Sequence, residues 1–155
     1  CKNLIKKKYF LMLLPDDLIV KENCSKQMIK IHSHYKSSVI AAKKVKNNDV
    51  SRWGIFKIKK FKKNLFLIKD VIEKPTVKSS PSNYAVIGRY ILPSKIFKIL
   101  KNQKSGKNGE IHITDSIRSL ILKEDKFIGH IFSGKYLDCG TMKGYINSNK
   151  EISKL

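Results

Sequence analysis

An apolar run, Tyr9-Phe10-Leu11-Met12-Leu13-Leu14, stops at Pro15-Asp16-Asp17. A short continuous apolar segment closed by a turn signal reads as a strand buried on both faces. Such strands belong to α/β sheets, where ligands sit just beyond the strands' carboxyl ends. Asp16 and Asp17 stand at that place, in a chain with only 12 acidic residues against 33 basic ones. A carboxylate there can hold a hard cation such as Mg2+, which takes one or two carboxylates together with substrate phosphates. The same residues also read as a strand followed by a plain Pro-Asp turn.

The rest of the chain alternates strands and helices. Asn23 or Ser25 can cap a helix from Cys24 to Tyr35, and Val39 to Ala42 follows as a buried strand. Trp53 to Phe61 alternates apolar and polar residues, Asn64 marks a turn, and Leu65 to Ile72 returns, ending at Glu73-Lys74-Pro75. This is a hairpin. After a Ser/Pro-rich loop, Tyr84 to Leu92 is a strongly apolar strand, and Pro93 or Ser94 opens a helix through Leu100. Gln103 to Gly109 is a loop. Thr114 is a good N-cap for the next helix, which contains Ile117, Leu120 and Ile121. Lys126 to Phe132 and Tyr136 to Asp138 are strands. Gly140 or Thr141 opens a last helix with Met142, Tyr145 and Ile146 on one side. The expectation is one domain over residues 1–155, α/β, with a mixed sheet and an inserted hairpin.

With 155 residues and 41% hydrophobic content, the chain can bury an ordinary core. No apolar run approaches the about 20 residues that span a bilayer, so no membrane partner is expected. Nothing before the first strand has the order of a signal peptide, so the default location is cytoplasmic. Cys1, Cys24 and Cys139 are far apart and read as free thiols. The net charge of +21 invites nucleic acid as a partner, but among the 33 cations only Arg52, Arg89 and Arg118 are Arg. Base readout leans on Arg. Specific nucleic-acid binding is therefore not expected, whereas weak, non-specific attraction to phosphate is. The chain starts at Cys1 rather than Met, with a central-looking strand as its first element, so it reads as a piece of a longer protein.

Several acids share one context at a strand end or helix start. They are Asp16-Asp17, Glu73-Lys74, Glu110 with Asp115, and Asp138. Pro75 fixes the direction in which Glu73 and Lys74 project. An adjacent Glu and Lys suit a ligand with hydroxyls at one end and phosphate at the other, although an exposed ion pair is an equally plain use of them.

The order of motifs carries a resemblance. Leu14-Pro15-Asp16-Asp17, Val50-Ser51-Arg52-Trp53-Gly54, Val71-Ile72-Glu73-Lys74-Pro75, Pro81-Ser82-Asn83 running into Val86-Ile87-Gly88-Arg89-Tyr90-Ile91-Leu92, Gly109-Glu110-Ile111-His112-Ile113-Thr114-Asp115 and Tyr136-Leu137-Asp138-Cys139-Gly140 run in register over nearly the whole chain. Together they resemble the bacterial UTP–glucose-1-phosphate uridylyltransferases, which are sugar nucleotidyltransferases of Rossmann-like fold. The resemblance implies UTP and glucose 1-phosphate as substrates, Mg2+ as cofactor and a homo-oligomer when full length. It implies Asp16 as metal ligand, with Asp17 turned away. It implies Gly54 close to the sugar, Glu73 on the glucose hydroxyls and Lys74 on the phosphate, with Asp16 and Lys74 as the catalytic pair. Asn83, Val86 and Gly88 would line the sugar pocket, and Arg89 follows in the same motif, as a ligand contact or a structural ion pair. Asp115 is either a second metal ligand or an acid favoured at its helix N-terminus. Cys139 would be a packing thiol.

Two departures qualify this. Trp53 stands where Tyr is usual, and His112 where Gln is. The glycine-rich loop that grips the triphosphate, and the segments that read uracil, have no counterpart here, so the N-terminal nucleotide-binding part is expected to be missing. The isolated chain would then be inactive and, with a bare sheet edge, prone to aggregate. Thymidylyl- and guanylyltransferases remain alternatives, as does a non-catalytic basic module that binds phosphate or nucleic acid.

Overall fold

The computed structural model describes residues 2–105 and 109–155. Cys1 and part of the loop expected over Gln103 to Gly109 lie outside them. In chain order the elements are β1 (Tyr9–Leu13), β2 (Asp17–Val20), α1 (Cys24–Tyr35), β3 (Ser38–Lys44), β4 (Gly54–Lys62), β5 (Leu65–Glu73), β6 (Tyr84–Pro93), α2 (Ile96–Asn102), α3 (Ile113–Leu122), β7 (Phe127–Ile131), β8 (Lys135–Asp138) and α4 (Met142–Ile152). Six strands make one mixed sheet in the order β1-β6-β3-β7-β5-β4, and β2 pairs with β8 separately. β3 and β7 run parallel; the other pairs are antiparallel.

Alternation along β6 divides the core. Val86, Tyr90 and Leu92 pack on one face with Phe56, Phe127, Ile117 and Leu120. Ile87 and Ile91 pack on the other with Val39, Ala41 and Met28. Burying each large apolar side chain contributes about 1.5–3 kcal/mol, so both faces of this strand are pinned and its register cannot slip. The helix expected from Cys24 to Tyr35 forms over those residues, with the Asn23 side chain accepting from the Lys26 amide at 2.9 Å.

Two expectations need correction. β1 is half-buried, with Leu13 49% exposed, rather than enclosed on both faces; it forms one edge of the sheet, as the expected bare edge requires. An apolar run of this length marks a strand without showing how much of it is covered. Thr114 does not cap α3. The helix starts at Ile113, and the buried Thr114 hydroxyl points to β5. In α4, Met142, Tyr145 and Ile146 share a side, as expected; that side faces outward, and Ser148 is the buried residue.

Candidate active site

The Asp16-Asp17 turn is fixed by its neighbours. The Leu14 amide donates to the Gly88 carbonyl at 2.8 Å, extending the β1–β6 ladder by one residue. Asp17 then turns inward. One carboxylate oxygen accepts the Gly88 amide at 2.7 Å, and the other accepts the Tyr136 hydroxyl. Burial raises the Asp17 pKa above its ordinary value, and the two hydrogen bonds oppose the rise. The Tyr136 phenol is pushed up in turn, by burial and by Asp17. A Cβ at Gly88 would stand 2.6 Å from Leu14 Cβ, so only glycine lets the turn seat. Arg89, one residue on and facing the opposite side of β6, donates to the Leu14 and Gly88 carbonyls at 3.1 and 3.2 Å. The structure thus gives Arg89 the backbone of the turn as its partner.

Asp16 is left exposed at the tip. Its carbonyl accepts the Cys139 amide at 2.8 Å, and Asp17 stands opposite Asp138 in the β2–β8 register. This brings a second carboxylate to Asp16. A Cβ at Gly140 would lie 3.0 Å from Asp16 Oδ2 and 3.3 Å from Asp138 Oδ1. The two acids therefore border one small space, with Arg52 3.3 Å from the far oxygen of Asp138. Among the described residues no set of three His, Cys, Asp or Glu forms a metal cage. Two carboxylates with open positions fit the habit of Mg2+, which keeps waters and takes its remaining ligands from phosphates.

Glu73 ends β5 opposite Gly54 in the β4–β5 register. The Thr114 hydroxyl donates to Glu73 Oε2 at 2.7 Å. A Cβ at Gly54 would lie 3.1 Å from Glu73 Oε2 and Thr114 Cγ2, and 3.2 Å from Val86 Cγ2. Gly54, Glu73, Val86 and Thr114 thus converge. Val86 and Gly88 share a face of β6, about 7 Å apart along the strand, so the Glu73 cluster and the Asp17 turn lie on the same face of the sheet. The buried Tyr90 phenol records this convergence. Burial raises its pKa most, and the charges of Asp17, Glu73 and Asp16 add to the rise.

Lys74 is exposed beside this cluster, at φ +44°. A left-handed lysine costs about 1–2 kcal/mol, and the hydrogen bond that its backbone N–H donates to the Trp53 carbonyl at 3.0 Å helps hold it there. Asp115 lies half-buried in the first turn of α3, next to Thr114. It sits at a helix end that favours an acid. Asn83 is half-buried; its carbonyl accepts the Val45 amide at 2.9 Å, and it lines a cleft of about 320 Å³ with Val50, Val77 and Ser82. Glu110 is exposed and sits 3.5 Å from His112. Cys139 is a free, half-buried thiol.

Two roles escaped the sequence reading. Asp138 was visible as a strand-end acid, but only β2–β8 pairing shows that its neighbour is Asp16. Thr114 looked like a cap because a hydroxyl before an apolar helical pattern usually is one.

The fold and these clustered strand-end acids define an α/β protein with its polar groups gathered at one end of the sheet. Residues 1–154 match the Nucleotidyl transferase family, and the chain belongs to it. A Methanocaldococcus jannaschii relative is 38% identical over 144 residues, which cover 93% of this chain and 50% of that protein. The UTP–glucose-1-phosphate uridylyltransferase of Pseudomonas aeruginosa is 32% identical over 142 residues, covering 90% of this chain and 50% of that one. A crystal structure of UDP-glucose pyrophosphorylase complexed with UDP-glucose superposes with a TM-score of 0.91 at 39% identity, over 99% of this chain and 60% of that one. The chain spans about half the length of the curated relatives it matches. No helix among the described residues is long and apolar enough to cross a membrane.

Proposed function

We propose that this chain supplies the sugar-phosphate and metal side of a UTP–glucose-1-phosphate uridylyltransferase. In that reaction a phosphate oxygen of glucose 1-phosphate attacks the α-phosphorus of UTP, and pyrophosphate leaves. The convergence of Gly54, Glu73, Val86 and Thr114 beside the Asp16-Asp17 turn carries the reading. Gly54 lets Glu73, Thr114 and Val86 close together against its backbone. Glu73 accepts from its hydroxyls, and Thr114 holds that carboxylate in place. Val86 forms the floor, with Asn83 just before the strand; Gly88, expected to line the pocket, lies instead beneath the Leu14 and Asp17 side chains and seats the turn. Lys74 offers a point charge to the phosphate. Arg89 serves the site by fixing the turn.

Asp16, with Asp138, would hold a divalent cation, and Mg2+ is the ion their chemistry suits. When bound it would offset negative charge developing on the phosphates. The rest is positioning of two anions and stabilisation of charge by preorganised groups. Asp115 acts as an acid at its helix N-terminus in this reading. The relatives' printed names favour the uridylyl over the thymidylyl or guanylyl alternative. A cytoplasmic, homo-oligomeric enzyme is the setting that the family resemblance suggests.

Titration calorimetry of the 155-residue chain with glucose 1-phosphate tests the sugar side. Measurable binding that weakens in both Glu73→Gln and Lys74→Ala is expected; binding indifferent to both variants overturns those roles. Joining the chain to the part of the P. aeruginosa relative that it does not match should give Mg2+-dependent pyrophosphate release. Asp16→Asn should then remove most of the rate, and unchanged turnover would exclude its metal role.

A further inference from the structure

We propose that the β4–β5 hairpin and the end of α1 form a sequence-independent docking surface for single-stranded nucleic acid. β4 passes from core to solvent along its length: Gly54, Ile55 and Phe56 are buried, whereas Lys57 and the residues from Lys59 to Lys62 are exposed. Lys57, Lys59, Lys60, Lys62 and Lys63 crowd into one short stretch without an acid among them.

The fold adds what the sequence cannot show. Tyr35, the last residue of α1, meets Phe61 edge-on with centroids 5.3 Å apart. Lys62 Nζ stands 5.6 Å from the Tyr35 ring and 6.0 Å from Phe61. Lys126 Nζ, arriving just before β7, stands 5.8 and 5.9 Å from the same two rings. Two ammonium groups far apart in sequence thus share one aromatic pair. Cation–π attraction holds them there. Among the described residues, none of these six lysines takes part in an ion pair. The patch lacks only its anion.

The aromatic part selects the kind of anion. Phe61 is 38% exposed, and with Lys62 it also lines an open cleft of about 490 Å³ whose walls include Ile58, Phe66 and Tyr84. Apolar walls rimmed by lysines suit a polymer with flat faces and regularly spaced phosphates, so bases can rest against the rings while the backbone follows the cations. Inorganic polyphosphate would use the lysines and leave the cleft idle. An acidic peptide would bring carboxylates without flat faces. No Arg lies in the patch, so base edges go unread and sequence should not matter.

Fluorescence anisotropy of a labelled oligothymidylate, titrated with the 155-residue chain at several salt concentrations, tests this. Replacing Lys60, Lys62 and Lys126 by Gln should weaken binding about tenfold or more and flatten the slope of log affinity against log salt by about two. The same change at the exposed Lys98, Lys101 and Lys123 should alter the slope by less than about one. Phe61→Leu should weaken the oligonucleotide about fivefold or more, while leaving inorganic polyphosphate unaffected. Equal losses in the two triple variants would overturn the location. Polyphosphate, polyglutamate or duplex DNA binding as tightly as the single strand, with no effect of Phe61→Leu, would overturn the ligand. Should the hairpin triple not fold, Lys62→Gln alone decides, with an expected slope change of about 0.7.

Discussion

The turns at Asp16-Asp17 and Glu73-Lys74 are built alike and held differently. Each places two adjacent polar residues at a strand end, and each divides the labour: one residue is tied down and the other is presented. Asp17 is tied by a backbone amide and a tyrosine hydroxyl from two other strands, and is buried. Glu73 is tied by the single Thr114 hydroxyl and remains half-exposed. Asp16 is presented on an ordinary turn, whereas Lys74 is presented through a left-handed backbone. The first turn is thus locked by hydrogen bonds in the interior. The second is locked by one hydroxyl and a strained dihedral, so it can yield to a ligand more readily.

The sharpest way to break this contrast is Asp17→Ala. It strands a buried amide and a half-buried phenol, and should cost about 2–3 kcal/mol, lowering the melting temperature by roughly 4–12 °C. A change of under 1 °C would mean that the turn is not locked as described. Thr114→Val should cost less, about 1 kcal/mol for one hydrogen bond, yet weaken glucose 1-phosphate more than stability, which paired calorimetry and melting would show. Lys74→Gly should move the two readouts in opposite directions. Relief of the left-handed lysine should raise stability by about 0.5–1 kcal/mol, while loss of the cation weakens phosphate binding. Lower stability in that variant would remove strain from the account.

The smallest effect belongs outside both turns and calibrates pH effects within them. His130 Nε2 donates to Gln27 Oε1 at 2.8 Å, while its buried Nδ1 has no partner among the described residues. Burial lowers its pKa. The unfolded chain takes up its proton near pH 6.5, the folded chain only at lower pH. Its contribution is therefore constant above that value and falls away as pH drops through the lowered pKa. Melting curves at pH 7 and pH 5 should show this loss, and His130→Leu should reduce it.

Much of this was legible in the chain itself. The order of strands and helices apart from β2, the β4–β5 hairpin, the α1 boundaries and the location of the polar strand ends all follow from local rules of periodicity, capping and turn chemistry. Such rules act over a few residues, so a sequence displays them directly. The half-exposure of β1 and the outward face of α4 were hidden, because periodicity marks an apolar side without showing what covers it.

The sequence by itself determined which residues could do chemistry and the family resemblance that orders them. Only the tertiary structure decided who stands next to whom. It set Asp138 beside Asp16, gave Thr114 to Glu73 rather than to a helix end, and turned Arg89 onto backbone carbonyls. It also gathered Lys62 and Lys126 over one pair of rings. Each of these pairings joins segments far apart in the chain, and their meeting depends on strand register and sheet order, which no local pattern encodes.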